Sequence, residues 1–185
     1  MSKDDRIRWN DRYSIKSPAI VTAGFPLSLF SSYADQFPTN GVALELACGK
    51  GEVMVWFAQR GMSVCGVDIS STAIDLAQQL AVDQRVSSRA AFEVFDLDNG
   101  LPDMPPVDLL VCQNFRNPRL YNDMQCRLVP NGLLAIVTLS EVGASPGRFR
   151  AKRGELDAAF SNMEILCSGE KEGRAWLLGR KKGTD

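Results

Sequence analysis

The sequence predicts an α/β protein: a three-layer αβα sandwich around a mostly parallel seven-stranded sheet that closes with an antiparallel C-terminal hairpin. Three observations predict it. Continuously apolar strand-like runs alternate with helical stretches, the pattern of a parallel sheet covered on both faces. A strand, a tight turn of small residues and a helix follow one another from Val42 to Ala58. The chain ends on two strand-like runs, Met163–Ser168 and Ala175–Arg180, whose short polar connection, Gly169–Arg174, suits a hairpin.

Residues 1–38 form a polar and aromatic lead-in with Trp9-Asn10-Asp11-Arg12-Tyr13 at its centre, broken into short pieces by Pro18, Pro26 and Pro38. Within it, Leu27–Phe37 reads as one amphipathic helix with Leu29, Phe30, Tyr33 and Phe37 on a shared face. The remainder, 39–185, reads as the main domain. Its first strand is Val42–Ala47. A helix follows over about Gly51 to Arg60, with Gly61 suited to its C-terminal cap. The second strand is Ser63–Asp68. A helix begins at Ser70 or Ser71, either of which can cap it, and carries Ala73, Ala77, Leu80 and Ala81 on one side. The third strand is Ala91–Asp96. Gly100, Pro102, Pro105 and Pro106 then exclude a full crossover helix. Val107–Cys112 is the fourth strand, a helix runs from Pro118 to about Leu128, Gly132–Leu139 is the fifth strand, and Glu155–Phe160 is helical.

Composition narrows the function. The 185 residues amount to one domain, and a formal net charge of −1 gives no electrostatic case for nucleic acid as a partner. The chain has no histidine, which removes Ser-His and Cys-His nucleophile pairs, histidine metal sites and any histidine base. Its five cysteines, Cys48, Cys65, Cys112, Cys126 and Cys167, are scattered, so neither a metal site nor a disulfide framework is expected. No signal peptide and no membrane-spanning stretch is visible. A reduced, cytoplasmic protein is expected, as a monomer or homodimer.

The turn after the first strand, Ala47-Cys48-Gly49-Lys50-Gly51, has few side chains between its backbone and a ligand, and the helix N–H groups follow it. It reads as a cradle for a nucleotide-type cofactor. A dinucleotide fingerprint fails at its third position, where Glu52 stands in place of glycine, which argues against a nicotinamide oxidoreductase. A phosphate-binding loop fails too, since Lys50 is followed by Gly51-Glu52 and the glutamate would repel a phosphate. Asp68, closing the second strand, can accept two hydrogen bonds from ribose hydroxyls, each contributing about 1.5–3 kcal/mol.

Together, Glu45-Leu46-Ala47-Cys48-Gly49-Lys50-Gly51, Asp68, Asp96-Leu97 at the end of the third strand and Leu128-Val129-Pro130-Asn131-Gly132 resemble, in order, the motifs of the class I methyltransferases that use S-adenosylmethionine, whose fold is Rossmann-like. The resemblance covers roughly residues 40–182. More narrowly, Trp9-Asn10-Asp11-Arg12-Tyr13, Glu45–Gly49 and Arg153-Gly154-Glu155-Leu156 resemble the small tellurite-resistance type of bacterial methyltransferase. Relatives of that type often carry His-Arg-Pro where this chain has Arg116-Asn117-Pro118. The resemblance implies S-adenosylmethionine as cofactor, held by Glu45, Ala47, Cys48, Gly49, Gly51, Asp68, Ile69, Asp96, Leu97 and Gln113, with Trp9, Arg12 and Tyr13 closing over it as a lid. Asp98 competes with Asp96 for its place.

Gln113, Asn114 and Arg116, at the end of the fourth strand, are the candidates for contact with the reacting methyl group. Solvated charge is the default reading of the basic cluster Arg148, Arg150, Lys152 and Arg153, and the sharper expectation is that Arg148 and Arg150 attract an anionic small-molecule acceptor. With no histidine and no carboxylate placed as a base, a thiol or a selenium or tellurium species is the expected acceptor, because a soft, pre-ionised atom needs no deprotonation. Transfer to oxygen or nitrogen of a metabolite is the alternative within the same fold, and a non-catalytic cofactor-binding or interaction module is the alternative outside it.

Overall fold

The computed structural model describes residues 3–15 and 19–183. The expected break at Pro18 and the extreme ends of the segments 1–38 and 39–185 lie outside the described residues. The chain divides into two compact units, Met1–Pro102 and Asp103–Asp185.

The first unit opens on a helix that proline spacing alone does not suggest, α1 (Lys3–Ser14), with Asp4 and Asp5 in its first turn and Arg12 in its last. Those charges oppose the helix dipole at both ends, and Arg8 pairs with Asp5 at 2.9 Å one turn away. The amphipathic α-helix expected at Leu27–Phe37 is instead a 3-10 segment, Ser28–Gln36, interrupted at Phe30. A period of three rather than 3.6 changes which residues turn inward: Leu27, Phe30 and Phe37 are buried, while Leu29 is exposed. Phe37 packs between Phe25 and Phe57, with ring centroids 4.8 and 6.0 Å away.

β1 (Val42–Leu46) pairs in parallel with β2 (Ser63–Asp68), and β2 with β3 (Ala90–Val94). Helix α2 (Glu52–Ala58) connects β1 to β2, and α3 (Ser71–Asp83) connects β2 to β3. Ser70 is the cap of α3, its Oγ accepting the Ala73 N–H at 3.1 Å, and Ala73, Ala77, Leu80 and Ala81 are buried as their spacing predicts. β3 stops at Val94, two residues before the expected end, because Asp96 turns to cap a short 3-10 turn, Leu97–Asn99.

In the second unit β4 (Val107–Gln113) pairs in parallel with β5 (Leu128–Leu139). Between them lie a 3-10 turn, Pro118–Leu120, capped by Asn117, and α4 (Tyr121–Arg127). β5 starts four residues earlier than expected, at Leu128, and Asn131 takes the left-handed φ of 64° that suits the glycine of the family motif. After α5 (Glu155–Ala159), β6 (Glu164–Lys171) and β7 (Arg174–Arg180) form the antiparallel hairpin. Its turn is shorter than the expected Gly169–Arg174. Only Glu172 and Gly173 stand between the strands, both with positive φ, as a two-residue hairpin turn requires. Gly169 lies inside β6, where the Trp176 ring occupies the space a Cβ would need. The strands run β3-β2-β1 in the first unit and β4-β5-β7-β6 in the second, the seven-stranded, mostly parallel sheet with a C-terminal hairpin.

Candidate functional site

The candidate site in the first unit is built by the turn after β1. Ala47, Gly49 and Gly51 all have positive φ, 54°, 54° and 71°. The alternation folds the backbone tightly: the Cys48 N–H donates to the Val67 carbonyl at 3.0 Å and the Gly51 N–H to the Cys48 carbonyl at 3.0 Å. The two glycines do different work. A Cβ at Gly51 would lie 2.7 Å from the Phe92 ring and 2.8 Å from the Ala77 Cβ, so this glycine lets α2 start close against α3 and β3. The packing role that a dinucleotide fingerprint gives its third glycine therefore falls to Gly51. A Cβ at Gly49 would meet the Tyr13 hydroxyl at 2.8 Å, so Gly49 presents bare backbone beneath a side chain of α1.

Asp68 is 6% exposed and accepts backbone N–H groups on both oxygens, Gly49 N–H on Oδ2 and Ser70 N–H on Oδ1, each at 2.9 Å. Burial pushes its carboxyl above the usual value, and the amides of Ser70, Gly49 and Ile69 pull the other way. Three amides on the roughly four acceptor sites of a carboxylate leave room for a further donor. Glu45 is also buried, as are Cys48 and Ile69. Burial, then the charges of Glu45 and Asp68, raise the Cys48 thiol well above its ordinary range, so it is an unreactive neutral thiol. Glu52, the residue that breaks the dinucleotide pattern, accepts the Ile20 N–H at 3.0 Å and pairs with Lys50 at 3.3 Å.

Trp9 and Tyr13 stack at 6.0 Å on α1, and the Arg12 guanidinium lies 5.0 Å from the centre of the Trp9 ring. The Tyr13 hydroxyl is held protonated by burial and then by the nearby Asp68 charge. Asp96 accepts the Asp98 N–H at 3.0 Å, and Leu97 is buried, which puts the acid rather than the leucine at the surface after β3.

In the second unit Gln113 ends β4, and Asn114 follows with φ of 56°, donating its N–H to the Val137 carbonyl at 2.8 Å. Arg116 makes a two-pronged ion pair with Glu155, both bonds 2.7 Å. Glu155 also accepts the Tyr121 hydroxyl at 2.9 Å and the Lys152 N–H at 3.1 Å. Arg150 donates to the carbonyls of Ser140 and Gly173 at 2.8 and 3.2 Å, which ties it to the end of β5 and the hairpin turn. The Arg148 guanidinium lies 5.4 Å from the centre of the exposed Phe149 ring.

Sequence reasoning missed several of these partners. Tyr121 has no motif of its own, Phe92 shows only as one apolar residue of a strand, and Asn10 lies in the Trp9–Tyr13 motif without a role of its own there. Asn10 and Tyr13 are three residues apart, so a helix there would have placed them on one face.

Residues 43–132 match the family model described as a methyltransferase domain. That stretch is just under half of the chain, and its sequence is that of a methyltransferase domain. Dependence on S-adenosylmethionine is stated for a solved protein of this fold from Methanosarcina mazei, 18% identical with a TM-score of 0.66, covering 83% of this chain and 98% of that one. The protein YqeM of Bacillus subtilis (strain 168), itself provisionally named a methyltransferase, is 43% identical over 42 residues, which is 23% of this chain and 17% of that one. The chain thus matches under a fifth of the length of this curated relative. Two further solved structures share the fold of the domain at low identity. TehB from Haemophilus influenzae superposes with a TM-score of 0.73 at 18% identity, covering 94% of this chain and 67% of that one. Geranyl diphosphate C-methyltransferase from Streptomyces coelicolor A3(2) superposes with a TM-score of 0.72 at 12% identity, covering 98% of each; it was solved with Mg2+, geranyl diphosphate and S-adenosyl-L-homocysteine. No helix among the described residues is long and apolar enough to cross a membrane.

Proposed function

We propose that the protein is an S-adenosylmethionine-dependent methyltransferase acting on a small molecule, with a thiol or another soft, pre-ionised chalcogen as acceptor. The observation that carries the reading is Asp68: a buried carboxylate fixed by two backbone N–H groups, with acceptor capacity left, beside the bare backbone of Gly49. The residues fit the cofactor. Asp68 would take the ribose hydroxyls, the turn Ala47–Gly51 would lie under the methionine part with Glu45 and Ile69 beside it, and Asp96 and Leu97 would border the adenine. When bound, the cofactor supplies a methyl group on a sulfonium, already a good leaving group.

The protein's part is then alignment and exclusion of water. Holding the acceptor in line with the methyl is worth about 7–11 kcal/mol. Segment 1–38 serves as the lid, with Trp9, Arg12 and Tyr13 on α1 covering the turn. Gln113 and Asn114 would meet the acceptor, and Arg148 would draw in an anionic one. Arg116 and Arg150 act through position, since both guanidinium groups are engaged within their own unit. Cys48 is no nucleophile at its raised pKa, and no histidine is available to accept a proton, which is what supports an acceptor that needs no base.

Calorimetry with S-adenosylhomocysteine tests the cofactor reading, with binding expected. An acceptor screen that follows formation of S-adenosylhomocysteine tests the rest. Turnover on thiols, selenide or tellurite is expected; turnover confined to amines or alcohols would move the assignment to nitrogen or oxygen transfer. Binding without turnover on any acceptor would leave a cofactor-binding module.

A further inference from the structure

Helix α1 has little to hold it down by burial. From Asp4 to Ser14 only Asp5, Trp9, Asn10 and Tyr13 are half-buried, and the others are exposed. A helix of this length is marginal in water without tertiary support. Its support is polar. The Asn10 Oδ1 accepts the Ser70 hydroxyl at 2.7 Å and lies at the limit of hydrogen-bond reach, 3.5 Å, from the Thr72 N–H. Ser70 is fully buried and already committed: its Oγ caps α3 at Ala73, and its N–H is one of the two that fix Asp68. The other oxygen of Asp68 takes the Gly49 N–H, and over Gly49 stands Tyr13, one turn beyond Asn10.

The contacts therefore close a ring: Asn10 to Ser70, Ser70 to Asp68, Asp68 to Gly49, Gly49 to Tyr13, and back along α1. We propose that Asn10 is a positioning residue for cofactor retention. It touches no ligand atom. It latches α1 onto the cap of α3, and so keeps Tyr13 over the turn whose other side is fixed by the carboxylate that would hold the ribose. The latch and the ligand then share Asp68 and Ser70, and loosening one loosens the other. The inference rests on the reading of the Gly49 turn as the cofactor's seat.

The test is the release rate of S-adenosylhomocysteine from wild type, Asn10→Ala and Asn10→Asp, by stopped-flow displacement, with hydrogen exchange of residues 4–14 measured alongside. Removal of one such hydrogen bond predicts release about fivefold faster from Asn10→Ala. Exchange in α1 should rise by more than any fall in the melting temperature accounts for, since no core side chain is replaced. Asn10→Asp keeps an acceptor oxygen for the Ser70 hydroxyl and should stay within about twofold of wild type. Release from Asn10→Ala at the wild-type rate would overturn the latch alone. Failure of the wild-type chain to bind S-adenosylhomocysteine would overturn the reading of the seat, and the inference with it.

Discussion

Two carboxylates, one in each unit, are surrounded by donors in opposite ways. Asp68 receives only uncharged backbone N–H groups, and burial lifts its carboxyl above the usual value of 3.8. At Glu155 burial works in the same direction, but the Arg116 guanidinium, the Lys152 N–H and the Tyr121 hydroxyl outweigh it and hold the carboxyl below the usual value of 4.5. The difference separates a carboxylate that keeps a net charge for something else from one that is neutralised where it stands. Backbone dipoles orient Asp68 without cancelling it. A guanidinium both orients and cancels Glu155, leaving it to join the loop after β4 to the start of α5.

The largest effect expected from this contrast is on binding. Asp68→Ala should weaken S-adenosylhomocysteine by at least about a hundredfold, the loss of two charge-assisted hydrogen bonds, with calorimetry as the readout. An unchanged affinity would break the comparison at its functional end. Glu155→Gln should do the reverse: affinity for S-adenosylhomocysteine unchanged, unfolding free energy lower by about 1–3 kcal/mol in urea titrations at neutral pH. A binding defect in that variant would give the two carboxylates the same role.

pH sharpens the contrast because the two linkages have opposite signs. The folded-state pKa of Glu155 is depressed, so its contribution to stability is present above about pH 4.5 and is lost as pH falls through the folded value. The gap between wild type and Glu155→Gln should therefore shrink on acidification. The folded-state pKa of Asp68 is raised, so its own contribution is present below the unfolded value and is lost as pH rises through the folded one. Stability measured from pH 3 to 7 should show Asp68→Ala gaining relative to wild type as pH rises. The smallest effect belongs to Lys50→Ala: its pairing with the partly exposed Glu52 predicts a change within about 0.5 kcal/mol in the same titrations.

Legibility from the sequence followed distance along the chain. Asp68 and the turn Ala47–Gly51 could be read directly, because a strand end, a run of small residues and a helix start are local patterns. Ser70 could be read as a cap for the same reason. Gly169 was misplaced into a turn because what covers it, Trp176, reaches it only once the hairpin pairs. The partner of Arg116 lies 39 residues further on, out of reach of any spacing rule. Helix α1 was hidden differently. Its inward residues Asp5, Trp9, Asn10 and Tyr13 make a stripe at helical spacing, but two of the four are polar and no hydrophobic period announces it.

The Phe92 ring sits over two glycines at once, within 2.8 Å of where a Cβ would stand at Gly51 and at Gly66. Three positions in the first unit, on β3, on β2 and at the start of α2, thus share one volume. A methyl group gained at either glycine has room only if the aromatic is traded for something smaller, and a smaller residue at 92 alone opens a void. A single change at any of the three positions is therefore resisted by the others, and the three residues should be inherited together.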